Sequence, residues 1–440
     1  MTEYTNRFRP SKTEIERRYA NTRKAMEAHG LDYLVISGSE YSGFEGAVLY
    51  MCGFHILHRY AYVIVSLHDE PICVFPREAT WVGDHSATFI EHREFPAHCG
   101  QWMAQHLKSK AAKRVGIYGL EYIINVRDYS ALAAQEFEII DFEIPFDYAR
   151  AQKSEEEMAS VRHSMDINKQ GVLEVIKAYQ AGKTEAELMG VAEKTFSTLG
   201  CARNTMNMIL SGPNGSLLPQ MVFASQRPVQ DSDGLMYGLE IAGEGGHWVE
   251  FSRPMAPRGV DGTMQEMMTA YQEFHELARE HMKAGNTAEE VSRLCMKPIF
   301  DRGYRSGHVC GHSIGMTMIE MPRIGEGFDF VLPENMVCSM HPHYMTQDRT
   351  HALYFQETYR VGRDGGEALS GVPIKWYHGG EASFQEAGKP DSRVEIAQIL
   401  NAFQEGDLFT YQAGAVLPRP AAGLCCAARQ IRFWKATQCQ

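Results

Sequence analysis

Gly311-His312-Ser313-Ile314-Gly315 is the stretch on which the reading of this chain turns. A glycine on each side lets the backbone approach a neighbour closely and leaves His312 free to face a cavity. Ser306-Gly307-His308 precedes it, so two histidines stand four apart, and on a strand both would point to one face. A lone histidine in an apolar segment is more often satisfied within a core, so the stretch needs support from elsewhere.

Downstream, Met340-His341-Pro342-His343 places two more histidines on one face of an extended segment. Pro342 stiffens that segment and suggests an edge or a bulge. Phe355-Gln356-Glu357-Thr358 sets a carboxylate in a strand otherwise rich in aromatic and β-branched residues, where a buried charge needs a partner. Upstream, Gly243-Glu244-Gly245-Gly246 reads as the turn of a hairpin with arms at 235–241 and 246–251. Glu240 and Glu250 lie on its two arms, within cross-strand reach. Two adjacent carboxylates need a metal, a proton or a cationic substrate between them, unless both are solvated on the surface.

The first third of the chain alternates helix and strand signals. Residues 11–29 read as a helix, with Ile15, Tyr19, Thr22 and Met26 near helical spacing and Gly30 as its stop. Segments 31–37, 60–67, 71–75 and 114–118 read as strands and 102–110 as a helix, which predicts an α/β domain over 1–150. Lys153-Ser154-Glu155-Glu156-Glu157 puts acidic residues where a first helical turn wants them. Helices are expected over 155–181 and 185–199, the second opened by a Thr184/Glu187 capping box. Further helices are expected over 263–284 and 287–302, and strands over 308–318, 336–344 and 352–361. The second domain, 151–385, is therefore α+β. The tail, 386–440, is helix-like over 392–405 and then rich in Pro, Ala and Cys, with no functional reading.

A length of 440 residues allows two cores of ordinary size. Net charge is −12, from 43 Lys and Arg against 55 Asp and Glu, and no basic cluster suited to phosphate backbones occurs. Nucleic acid is therefore not an expected partner. Nothing approaches the ~20 consecutive apolar residues of a membrane span, and no apolar run follows Met1. The ten cysteines form no C-x-x-C pair or disulfide spacing, so reduced thiols and a cytoplasmic location are expected.

Taken in order, the hairpin carboxylates, the Gly311–Gly315 stretch, His341-Pro342 and the Glu357 strand resemble the creatinase/prolidase/aminopeptidase P/methionine aminopeptidase superfamily. The resemblance runs over about residues 13–384. Segment 17–37, Gly53-Phe54, Lys153-Ser154 with Glu156, and Ser211-Gly212-Pro213-Asn214-Gly215 add to it. It implies a pita-bread fold for the catalytic domain behind an α/β N-terminal domain, and a homodimer in which His55, His58 and Tyr60 reach over the partner's cleft. The metallopeptidases of the family use Asp, Asp, His, Glu and Glu as ligands. By resemblance these fall on Glu240, Glu250, His312, His341 and Glu357, so three of the five differ in type. The family's substrate-side histidine falls near Pro219-Gln220, so it is either replaced by Gln220 or lost.

A set of two imidazoles and three carboxylates suits one divalent transition metal, Zn, Fe or Mn. The same fold in creatinase and ectoine hydrolase works without metal. In such a site His312 and His341 would be the acid/base groups, and Glu250 or Glu357 the base or nucleophile. The leading expectation is a hydrolase of the creatinase/prolidase type, cleaving a C–N bond of a small amide or amidine. The alternatives are a lyase resembling dimethylsulfoniopropionate lyase, a Xaa-Pro dipeptidase, and a non-catalytic binding protein. Arg323, Tyr344, His247 and His343 are secondary candidates for substrate contact, beside Gln220.

Overall fold

In the computed structural model the described residues are 8–213, 222–256 and 259–380, all within one compact unit, Met1–Phe384. Gln220 and the tail 386–440 lie outside them.

The N-terminal part is built on a six-stranded mixed sheet. From one edge it runs His92–Glu94, Ile72–Val74, Tyr60–Ser66, Tyr33–Ser39, Arg114–Tyr118, Glu138–Asp141. Successive side chains leave a strand on opposite faces. Leu34 and Ile36 therefore join one core with Ala61, Val63 and Val65. Val35 joins another with Tyr62, Ile64, Val115 and Ile117. The sheet is thus covered on both sides, as expected of an α/β layer. The first helix, Lys12–Ala28, is capped by Ser11, whose side chain accepts from the Glu14 N–H. Its buried stripe differs from the one expected. Glu14, Arg18, Thr22 and Met26 face inward, while Ile15 and Tyr19 are half-buried. Charge pairing explains the shift: Glu14 bonds Arg18 at 2.8 Å, and Arg18 reaches the Tyr50 carbonyl at 3.0 Å.

The C-terminal part has two layered halves. Helices Glu155–Ala178 and Glu185–Thr198 both open with capping boxes, Ser154/Glu157 and Thr184/Glu187. They share a core with the three-stranded sheet Arg203–Gly212, Gly234–Ala242, Trp248–Glu250. Helix Gly262–His281 packs on the five-stranded sheet Glu320–Ile324, Gly311–Ser313, Val337–Met340, Glu357–Arg360, Glu367–Ala368. The helix expected over 287–302 is two, Ala288–Cys295 and Lys297–Asp301, with a proline at the start of the second, where its missing N–H costs least. The strand expected over 308–318 shortens to Gly311–Ser313, because its pairing with Glu320–Ile324 shifts register after His312.

Buried charges join the two parts. Arg150 bridges Asp147 at 2.7 Å and Glu320 at 3.1 Å, and Lys153 meets Glu320 at 3.1 Å. All four are nearly inaccessible. Gly46, at the start of helix Gly46–Cys52, lies so close to the Met316 carbonyl that a Cβ would overlap it. The loop after His312 thus rests on the N-terminal part.

Candidate active site

Glu240 and Glu250 are direct cross-strand partners. Every residue of both their strands is buried, so neither carboxylate is a surface charge. Gln356 lies between them, its Nε2 donating to Glu240 Oε1 at 2.9 Å and to Glu250 Oε2 at 3.0 Å. The Ser339 hydroxyl also donates to Glu250 Oε2, at 2.6 Å. The other oxygen of Glu240, Oε2, is buried with no hydrogen-bond partner among the described residues.

The two glycines around His312 serve close packing. A Cβ on Gly311 would overlap the Ser339 carbonyl, and one on Gly315 the Glu320 carboxylate. His312 Nδ1 lies 2.9 Å from the Ser313 carbonyl. A carbonyl only accepts, so Nδ1 carries the proton there. The ring then presents Nε2 to Glu250 Oε1 at 3.3 Å. His341 follows strand Val337–Met340 and brings Nε2 to 3.6 Å from Glu250 Oε2.

Burial and mutual charge set the protonation of the group. Burial, and then the charge of Glu250, push the Glu240 carboxyl well above the usual range. Burial works against the charge on Glu250, yet His312, His341 and Ser339 together hold its carboxyl below the usual value. Burial opposes charge on His312 too, and Glu250 more than offsets it, so the ring is raised. For His341 burial prevails and lowers the ring to about 4. Without a bound cation these shifts favour the protonated forms of Glu240 and His312, the ionised form of Glu250 and the uncharged form of His341.

Above this floor lies a cavity of about 110 Å³, walled by Tyr354, Val309 and Met318 among others. Arg323, opposite His312 in the sheet, reaches the cavity. It is exposed and has no carboxylate partner among the described residues. His343 also lines it, edge-on to Tyr354 with centroids 5.6 Å apart. Its Nε2 is buried without a partner among the described residues.

Three expected site residues are elsewhere. Glu357 faces away. Its carboxylate bonds Arg253 and the Ser370 hydroxyl, and accepts from the Ser370 N–H at 3.2 Å. Strand alternation is the reason. Ser339 and Thr358 pair on the face toward Glu250, while Met340 and Glu357 pair on the other. Gln356 therefore stands where Glu357 was expected. His247 is buried between the two parts of the chain, with Nδ1 2.9 Å from the Ser160 hydroxyl and Nε2 3.8 Å from Glu157. Tyr344 is buried and donates to the Met267 carbonyl at 2.6 Å, a tie within the helix-covered core.

Gln356, Ser339 and Tyr354 were not singled out by sequence reasoning. Gln356 had one signal, its place next to Glu357 on an alternating strand. Met206, at the cavity wall, also escaped it. Its φ is +45°, at a register shift between Thr205 and Met208, a bulge of the kind that re-aims a strand beside a site.

Glu250, His312 and His341 each offer a ligand atom, all within 4.8 Å of one another. Two imidazoles and a carboxylate suit one divalent transition ion, and Glu240, the cross-strand partner of Glu250, has an oxygen without a hydrogen-bond partner among the described residues.

The sequence pattern of metallopeptidase family M24 matches residues 159–364, the stretch that holds all four of these donors. A Xaa-Pro dipeptidase of Pyrococcus horikoshii is 24% identical over 224 residues, 50% of this chain and 63% of the relative. The chain thus spans less than two thirds of the length of the first curated dipeptidases it matches. An uncharacterized peptidase of Methanocaldococcus jannaschii is 22% identical over 362 residues, 80% of this chain and 95% of the relative. Among solved structures, a Xaa-Pro dipeptidase from Bacillus anthracis superposes with a TM-score of 0.70 at 19% identity, covering 83% of this chain and 99% of its own. Its α/β N-terminal part, its pita-bread C-terminal part and this match over the site make the chain similar to the creatinase/prolidase/aminopeptidase P superfamily.

Proposed function

We propose that this protein is a hydrolase that cleaves the C–N bond of a small amide or dipeptide, using one divalent metal ion held by Glu240, Glu250, His312 and His341. The observation that carries the reading is the convergence of three ligand atoms within 4.8 Å beside an unpartnered carboxylate oxygen. The family match over residues 159–364 and the dipeptidase relatives support an amide substrate.

Bound there, the ion would polarise the scissile carbonyl and lower the pKa of water. The chain's own residues do the rest. Ser339 and Gln356 hold Glu250 in place. The Ser313 carbonyl fixes the His312 ring. Arg323 attracts a carboxylate on the substrate, and His343 offers it a hydrogen-bonding nitrogen. In the reaction the water oxygen bonds to the carbonyl carbon, the C–N bond breaks, and the nitrogen departs with a proton. All four donors come from 151–385, the catalytic domain in this reading, with 1–150 as its support. A homodimer belongs to the same proposal. Leu57 and Trp81, 61% and 89% exposed, are apolar side chains it would cover, on segments tied together by Arg59 and Glu78 at 2.6 Å.

One observation favours a second reading, hydrolysis without metal. His312 Nε2 and Glu250 Oε1 already lie 3.3 Å apart, an arrangement suited to acid/base work.

The test is elemental analysis together with amine release from Xaa-Pro dipeptides and N-acyl amino acids, in wild type and His312→Ala. About one equivalent of Zn, Fe or Mn per chain and amine release, both lost in the variant, are expected. Amine release without metal selects the second reading. Neither metal nor amine release sinks the hydrolase.

A further inference from the structure

We propose that Gln356 restricts the site to a single divalent ion, by holding with its amide the two carboxylate oxygens through which a second ion would be bridged. The inference rests on the metal-holding reading above and adds what sets the number of ions.

Two-ion hydrolytic sites place their ions roughly 3.5–4 Å apart, with carboxylates that offer one oxygen to each. Here one oxygen of each glutamate is already committed. Glu240 Oε1 accepts from Gln356 at 2.9 Å. Glu250 Oε2 accepts from Gln356 at 3.0 Å and from Ser339 at 2.6 Å. Four donor atoms remain, one per residue: Glu240 Oε2, Glu250 Oε1, His312 Nε2 and His341 Nε2. Four is the number of ligands a single zinc-type ion would take.

The orientation of the amide is imposed by the backbone. Gln356 Oε1 accepts from the Leu239 N–H at 3.0 Å. A flipped amide would set its NH₂ against that N–H and its oxygen against two carboxylates, leaving every contact repulsive. The position is also pinned from below, where the Gln356 N–H donates to the Ser252 hydroxyl at 3.0 Å. The NH₂ group therefore stays between the glutamates, where its partial positive charge repels a cation. Charge agrees with the count, since two ionised glutamates balance one divalent ion and leave nothing for a second.

A carboxylate at 356 would reverse both effects, removing the donor and adding an oxygen ligand and a negative charge. The experiment is equilibrium dialysis of the whole chain against Zn²⁺, followed by elemental analysis, for wild type, Gln356→Glu and the shorter Gln356→Asp. The variants are purified with Zn²⁺ present, so that a third buried carboxylate is neutralised during folding, and folding is checked by circular dichroism. Wild type is expected to saturate at one Zn²⁺ per chain and a folded carboxylate variant at two. Two equivalents in wild type would overturn the inference by themselves, whatever the variants do. So would one equivalent in wild type and still one in a folded variant. Zinc absent from wild type would remove the underlying metal reading instead, an outcome distinct from both.

Discussion

The guanidinium of Arg253 and the carboxylate of Glu357 form an ion pair in which both side chains are wholly buried. Arg253 also donates to the carbonyls of Ser252 at 2.8 Å, Val372 at 2.8 Å and Pro373 at 3.1 Å. The pair thus closes the back of the sheet whose other face carries the metal-type cluster. Removing one member of a buried pair leaves an uncompensated charge, at a cost of about 3–5 kcal/mol. Glu357→Gln is expected to lower the urea midpoint accordingly while leaving zinc per folded chain unchanged. Loss of zinc from folded Glu357→Gln would return Glu357 to the ligand set.

Arg323 lines the cavity with no carboxylate partner among the described residues. A charge-assisted hydrogen bond contributes roughly 1.5–3 kcal/mol. Arg323→Met is expected to raise KM about 10- to 100-fold for substrates bearing a carboxylate, with kcat little changed. Substrates amidated at that carboxylate should be unaffected. Equal losses for both kinds would mean that Arg323 does not read the charge.

Arg150 is nearly inaccessible and stands between Asp147 and Glu320. Arg150→Met would leave both carboxylates short of a partner at the junction of the two parts of the chain, with only Lys153 beside Glu320. A destabilisation of about 3–5 kcal/mol is expected, read as a lower urea midpoint. A midpoint within error of wild type would show the network to be energetically idle.

His275 is buried against Tyr359, and burial, with Arg253 and Arg279 nearby, lowers its ring to about 3. In the unfolded chain the ring takes its proton near pH 6.5. Between those values the unfolded state binds the extra proton, so stability is full above about pH 6.5 and falls as the pH drops toward 3. One unit of separation is about 1.4 kcal/mol, and a loss of roughly 3 kcal/mol by pH 4 is expected from this residue. His275→Gln should flatten that part of the stability–pH curve. An unchanged slope would assign the acid loss to other buried groups, such as His55, lowered by burial to about 4.

Much of the architecture was legible because local signals repeat a simple physical rule. Capping boxes at Ser154 and Thr184 mark helix starts without reference to the rest of the chain. Hairpin geometry brought Glu240 and Glu250 opposite one another, since a short turn sets the register of its arms. Helix-length errors arose where the chain breaks for a reason local patterns carry weakly, as at Pro298.

By itself the sequence determined the order of the elements, the hairpin pair of glutamates and the glycine-flanked histidine, because each depends on near neighbours in the chain. Only the tertiary structure decided which of two adjacent residues, Gln356 or Glu357, meets the cluster. Successive strand residues point to opposite faces, and the face is chosen by the partner strand, here through the pairing of Met340 with Glu357. The same holds for His247 and Tyr344, whose polar atoms are claimed by Ser160 and by the Met267 carbonyl. A residue's type shows what chemistry it can do. What it touches is settled by segments far away in the chain.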